Sequence, residues 1–150
     1  MQIEKTNWVP KGWGGEEIIV NNNLYCGKIL QMKKGLRCSI HYHPKKDETF
    51  YINEGQIKLY YFMDVAALEE QLLSYNMATK GLKGSYKKSR DDLFYAAILD
   101  IMDCTILSKG DSFHVPPGMA HQMIALEETD LLEFSTTDRP EDSIRIIRGD

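Results

Sequence analysis

Residues 35–55 read GLRCSIHYHPKKDETFYINEG and set His41, His43 and Glu48 at close spacing between two glycines. Side chains alternate along a β-strand, so residues two apart face the same way. His41 and His43 therefore share one face, and Tyr42 takes the other. Pro44 has no amide hydrogen to give and suits the end of that strand. Lys45, Lys46 and Asp47 read as a polar turn. Glu48 opens a second strand, Thr49 to Ile52, which stops at the turn signal Asn53-Glu54-Gly55. Such a hairpin brings Glu48 back beside the histidines. Two neutral imidazoles and a carboxylate suit Zn, Mn, Fe, Ni or Co. On its own, an H-x-H pair reads equally well as two surface histidines on an edge strand.

A later stretch, GDSFHVPPGMAH at residues 110–121, shifts that balance. Lys109-Gly110-Asp111 is a turn, and Ser112 to Val115 a short strand. Pro116-Pro117-Gly118 is a second, rigid turn that delivers His121 to the start of another strand, Gln122 to Leu126. His121 becomes a fourth candidate ligand. The two segments are expected to meet around one divalent transition metal in the mouth of a small β-barrel.

Together they resemble the two motifs of the cupin family. The first, G-x5-H-x-H-x4-E-x6-G, is matched by Gly35, His41, His43, Glu48 and Gly55. The second, G-x5-P-x-G-x2-H-x3-N, is matched by Gly110, Pro116, Gly118 and His121, with Ala125 where Asn is usual. That Asn is not a ligand. The resemblance implies a mainly all-β fold, a double-stranded β-helix or jelly-roll barrel. It also implies His41, His43, Glu48 and His121 as the metal ligands.

A chain of 150 residues suits a single domain with a real core. The net charge of −4 carries no basic block, which argues against nucleic acid as a partner. No apolar run is long enough to span a membrane. The start, Met1-Gln2-Ile3-Glu4-Lys5, lacks an apolar signal core, so a cytoplasmic protein is expected. Cys26, Cys38 and Cys104 are unequally spaced without a C-x-x-C, which favours reduced thiols. By alternation Cys38 faces away from His41 and reads as packing. Nucleotide-loop and nucleophile-elbow motifs are absent.

The glycine-rich opening Trp8 to Gly15 reads as a strap across one end of the barrel. In the strand Leu24 to Met32, residues Cys26, Lys28 and Leu30 share a face. Lys28 is thus either solvated on the outer side or a cation aimed into the pocket at an anion or developing oxyanion. Gln56 to Met63 is strongly β-like. Asp64 is a good N-cap, and Val65, Leu68, Leu72 and Tyr75 repeat at helical spacing. Ser89 to Asp92 resembles a capping box ahead of Phe94, Ala97, Ile98 and Ile101. Two helices, about 64–77 and 90–102, are therefore expected as an insertion between the motifs. They would serve as a lid, a dimer contact or packing on the outer sheet. Cys104 to Ser108, Asp130 to Thr136 and Ile144 to Ile147 read as strands. His114 reads as a satisfied, half-buried histidine.

Three imidazoles and a carboxylate on a six-coordinate metal leave two positions for oxygens of water or substrate. One chemistry moves a proton between adjacent sugar carbons through an enediol held on the metal. Another uses Fe and O2 to cleave carbon–carbon bonds, and a third reading is binding without catalysis. Trp13-Gly14, Lys28, Ser39 and Glu141-Asp142-Ser143-Ile144-Arg145 are similar to the small cupin module of mannose-6-phosphate isomerases. His41 departs from that module, which tends to carry Gln there. This second resemblance implies a sugar or sugar-phosphate isomerase or epimerase, with Lys28 as a catalytic residue and Arg145 supporting the pocket. A small-molecule substrate and a homodimer are the partners expected.

Overall fold

The computed structural model describes residues 2–150. Burial alternates along the strands as the apolar pattern dictates, and this decides which side of each strand meets the core. Among the described residues there are eleven strands. β1 (Asn7–Lys11), β2 (Gly14–Asn21), β3 (Cys26–Met32), β4 (Ile40–Tyr42), β5 (Glu48–Glu54) and β6 (Gln56–Phe62) precede the helices α1 (Val65–Ala78) and α2 (Gly84–Ile101). β7 (Asp103–Ser108), β8 (Ser112–Val115), β9 (Ala120–Ala125), β10 (Thr129–Ser135), a 3-10 turn (Pro140–Asp142) and β11 (Ile144–Ile147) follow.

The strands form two antiparallel sheets, ordered β1-β2-β3-β10-β5-β8 and β11-β4-β9-β6-β7. This is the mainly-β jelly roll with two helices that the sequence pattern implies. Leu30, Met32, Phe50, Ile52, Ile57, Leu59 and Leu131 fill the space between the sheets. Each such side chain contributes about 1.5–3 kcal/mol by leaving water. The β5–β6 corner turns at Gly55, whose φ is +92°. A Cβ there would lie 2.3 Å from the Glu128 carbonyl oxygen, so only glycine fits.

The inserted helices pack on the far side of the smaller sheet. Leu68, Ile98 and Met102 meet Ile40, Ala120 and Ile146. Asp64 caps α1 by accepting from the Ala67 amide at 3.1 Å, as its sequence position suggests. α2 differs from expectation, for it starts at Gly84 rather than near residue 90. Ser89 lies inside the helix, and the Asp92 carboxylate that suggested a cap pairs with Lys88 at 3.2 Å. The opening Trp8–Gly15 forms the β1–β2 hairpin at the edge of the larger sheet, and Lys11, Gly12 and Trp13 at its turn line the cavity between the sheets. Trp13 is buried in the inter-sheet core, and the Trp8 ring lies against Gly15.

Candidate metal centre

The centre lies where β4 and β9 of one sheet face β5 of the other. His41 is the cross-strand partner of His121, so the two imidazoles project from one face. Their neighbours Ile40 and Ala120 point the other way, to the helices. His43 follows two residues after His41, and Glu48 begins β5. The Pro116–Gly118 turn is tied to this corner, for the Gly118 amide donates to the His43 carbonyl at 2.8 Å. Gly118 takes φ +84°, the left-handed region that favours glycine. Ala125, standing where Asn is usual, closes its turn through the backbone: Gly35 donates to its carbonyl at 2.8 Å, and its amide donates to Leu36 at 3.0 Å.

Each imidazole is oriented from behind. The Nδ1–H groups donate to the carbonyls of Ser39 (3.0 Å, for His41), Asp142 (2.9 Å, for His43) and Met119 (3.0 Å, for His121). This leaves each Nε2 with a free lone pair. One ring nitrogen from each of the three lies within 4.8 Å of the others. Glu48 Oε1 is 3.1 Å from His121 Nε2 and 3.9 Å from His43 Nε2. Both atoms of the closer contact are buried and make no hydrogen bond of acceptable geometry. Neighbouring ligands of an ion bonded at about 2.1 Å sit roughly 3.0 Å apart, and opposite ones roughly 4.2 Å. A single transition-metal ion fits these donors.

Protonation favours the same conclusion. Burial, then the neighbouring His121 and His43, hold His41 well below its ordinary pKa. Burial, then Lys46, lower His43. Burial opposes ionisation of Glu48, but the close approach of His121, with Lys46 and His43, outweighs it and holds the carboxyl well below its usual range. A neutral His41, a neutral His43 and an ionised Glu48 are the forms that bind a cation.

Behind this centre lies a buried charge network. Lys28 is not solvated on an outer face; it is 5% exposed and turned inward with Cys26 and Leu30. Its Nζ meets Asp138 at 2.7 Å and Glu16 at 3.3 Å. Lys46, read from sequence as part of a polar turn, is 4% exposed and meets Glu48 (3.0 Å), Asp138 (3.1 Å) and Glu133 (3.3 Å). Burial works against both ammonium groups, but the surrounding carboxylates outweigh it and raise both pKa values. Lys28 is therefore a cation pinned between two carboxylates. Burial, then Glu48, push Glu133 up to about 7. Within this network four carboxylates (Glu16, Glu48, Glu133, Asp138) face two ammonium groups (Lys28, Lys46), while Lys11, Arg139, Arg145, Arg148 and Asp150 line the same cavity outside it.

The cavity has a volume of about 370 Å³, and no described residue of α1 or α2 lines it. The inserted helices thus form no lid in this structure. Cys38 packs in the inter-sheet core, as expected, though it also reaches the cavity wall. His114 is exposed rather than half-buried and pairs with Asp47 at 2.6 Å. All three cysteines are free. No helix among the described residues is long and apolar enough to cross a membrane. Sequence reasoning missed Lys46, Glu133, Asp138 and Asp142. Asp142 is buried and accepts from the amides of Lys45 (2.9 Å) and Lys46 (2.7 Å), clamping the loop between His43 and Glu48. For Lys46 a signal existed, since it lies two residues before Glu48 and alternation puts both on one face.

The chain belongs to the cupin family, whose model, described as Cupin, matches residues 27–147. No curated protein matches it in sequence. Among solved structures it resembles KdgF from Halomonas sp., at 14% identity over 90% of this chain and 89% of that one, TM-score 0.58. It also resembles an RmlC-like cupin from Shewanella frigidimarina, at 17% identity over 91% of this chain and 87% of that one, TM-score 0.58. Oxalate decarboxylase from Bacillus subtilis matches at 15% identity and TM-score 0.61, over 93% of this chain and 30% of that one. At such identities these likenesses concern the fold.

Proposed function

We propose that this cupin is a metal-dependent isomerase of a sugar or sugar phosphate, acting as one domain and moving a proton between adjacent carbons through an enediol. His41, His43, Glu48 and His121 hold the ion, which is Mn, Fe, Co, Ni or Zn by the donor set. One observation carries the reading: the imidazole Nε2 atoms and Glu48 converge at the floor of a small cavity that Glu133 also lines. When bound, a divalent cation polarises a carbonyl and acidifies a neighbouring hydroxyl. Glu133 takes the proton from one carbon and returns it to the next, and general bases work best when tuned near the operating pH. Lys46 holds Glu133 and Glu48 in place, and Lys28 anchors Asp138 beside them. The likeness of Trp13-Gly14, Lys28, Ser39 and Glu141–Arg145 to mannose-6-phosphate isomerase modules supports the substrate class.

The test is a panel of pentoses, hexoses and their phosphates, incubated in deuterated water with metal-loaded protein. Conversion of aldose to ketose with deuterium next to the carbonyl is expected. Glu133→Gln should abolish exchange while metal content stays unchanged. Oxygen uptake with Fe(II) and no exchange would replace the isomerase by an oxygenase. Neither activity, with metal bound, would leave a binding protein.

A further inference from the structure

The inner and outer parts of the cavity carry charge in opposite ways. Inside, both lysines are neutralised by carboxylates. At the margin stand four exposed cations, Lys11, Arg139, Arg145 and Arg148, and one exposed carboxylate, Asp150, all lining the same cavity. Among the described residues none of the four cationic side chains has an ion-pair or hydrogen-bond partner. The whole chain is acidic, at −4, so general basicity does not account for this ring.

The backbone aims these side chains deliberately. Arg145 is the cross-strand partner of His41, and directly opposed residues project from the same face. Its neighbour Ile146 is buried against the helices on the other face. In a regular strand Arg148, three residues on, would point away from Arg145. A register shift between Arg145 and Ile147 re-aims the strand so that both line the cavity. The segment after Arg148 is held down: Asp150 donates its amide to Arg37 at 3.0 Å, and its carboxylate accepts from the Arg37 amide at 2.8 Å. Gly12 and Gly149 pack too closely on their neighbours to admit a Cβ. Arg139 follows Asp138, whose carboxylate is fixed by both buried lysines.

We infer that this ring is a subsite for an oxyanion on the substrate, a phosphate or a carboxylate, distal to the carbons that react at the ion. The inference rests on the isomerase reading only in taking the substrate to be sugar-like. Guanidinium groups grip phosphate and carboxylate through paired charge-assisted hydrogen bonds. Inside, Lys28 and Lys46 are already held by carboxylates, so the unpaired cations at the margin are the ones left to receive an anion. A volume of about 370 Å³ suits one small ligand rather than a polymer.

Calorimetric titration of the metal-loaded protein with a hexose 6-phosphate, the matching hexuronate and the neutral hexose decides the matter. At least one anion should bind roughly ten- to hundredfold tighter than the neutral sugar, and more weakly as salt rises. Which anion wins identifies the source of the charge. Arg145→Gln and Arg148→Gln should each weaken the anion and leave metal content and neutral-hexose affinity unchanged; Arg145→Lys should restore part of the loss. Equal affinity for all three sugars, no binding of either anion at millimolar concentration, or equal loss for charged and neutral sugars in the variants would overturn the subsite. Turnover is read separately. A neutral hexose isomerised as fast as its phosphate removes the subsite and leaves the isomerase. Tight anion binding without isomerisation keeps the subsite and removes the isomerase.

Discussion

Replacing Lys46 by methionine keeps most of the side chain's length and removes its charge. The ammonium group meets Glu48 at 3.0 Å and Glu133 at 3.3 Å, both carboxylates nearly inaccessible to water. Its third contact, Asp138 at 3.1 Å, is 25% exposed on the acid's side and adds less. Removing one partner of a buried ion pair strands the other, at a cost of about 3–5 kcal/mol. For a chain of this size the melting temperature should fall by roughly 6–20 °C. Lys45 supplies the control: it is the same residue type one position away, exposed and on the opposite face. Lys45→Met should change stability by no more than about 0.5 kcal/mol.

The deficit should also depend on pH in a definite direction. Lys46 is among the groups that hold the Glu133 pKa down. Without it, the carboxyl already near 7 rises further. A raised acid in the folded state keeps a proton that the unfolded chain has released above its ordinary value of 4.5, so folding stability drops as pH climbs through the folded value. The metal-free variant should lag the parent more at pH 8 than at pH 6. Chemical denaturation of both proteins at the two pH values measures this directly. A loss below about 1 kcal/mol, the scale of an exposed pair, or a deficit independent of pH, would refute the reading of Lys46 as a buried counter-ion.

Three further outcomes are expected. His43→Ala or His121→Ala should strip most bound metal, read by elemental analysis of purified protein; full stoichiometry in either would remove that residue from the ligand set. Asp142→Ala leaves the Lys45 and Lys46 amides without their acceptor, and a loosened loop should weaken metal affinity by about 10–100-fold, seen in competition with a chelator. Metal-free Glu133→Gln protein, in which the opposing titration of Glu133 is removed, should lose stability as pH falls below 6.5. His41 and His43 are held below that ordinary value, so the unfolded chain takes up protons that the folded one resists; a flat thermal-melt profile between pH 7 and 5 would count against it.

Parity along single strands was the readable part of this site. His41 and His43 share a face because they are two apart, and the motif spacing carried Glu48 and His121 with them. Parity also grouped Lys28 with Cys26 and Leu30, but alternation does not say which of two faces is buried. That depends on β3 lying between β2 and β10, which brings Lys28 to Glu16 and Asp138. Lys46 was hidden by its neighbours, since a lysine pair and an aspartate after proline look like a solvated turn. Asp142 pins that turn from 97 residues away, beyond the reach of local pattern. The start of α2 was misread for a related reason. Lys83 offers no side-chain cap, while Ser89 and its acidic neighbours imitate one inside the helix. Burial of Ile98, with Phe94 stacked on Tyr75 at 4.2 Å between ring centroids, holds the helix in place of a cap.

The buried network is hard to explain as a device for stability. Withdrawing ions from water costs several kcal/mol each, and apolar residues of similar volume often serve a fold as well or better. Within the buried ion pairs four carboxylates face only two ammonium groups, the other cations of the cavity being exposed. Burial, and then Glu48, push Glu133 toward protonation even with Lys46 and Lys28 beside it. A divalent cation held by the three imidazoles and Glu48 would place positive charge beside those carboxylates. The lysines then have a clear part: they keep the carboxylates ionised and oriented before the cation arrives, without competing for the imidazole lone pairs. On that argument, chelation should destabilise the protein by more than the loss of ligand bonds to any one residue, because it unbalances every group in the network.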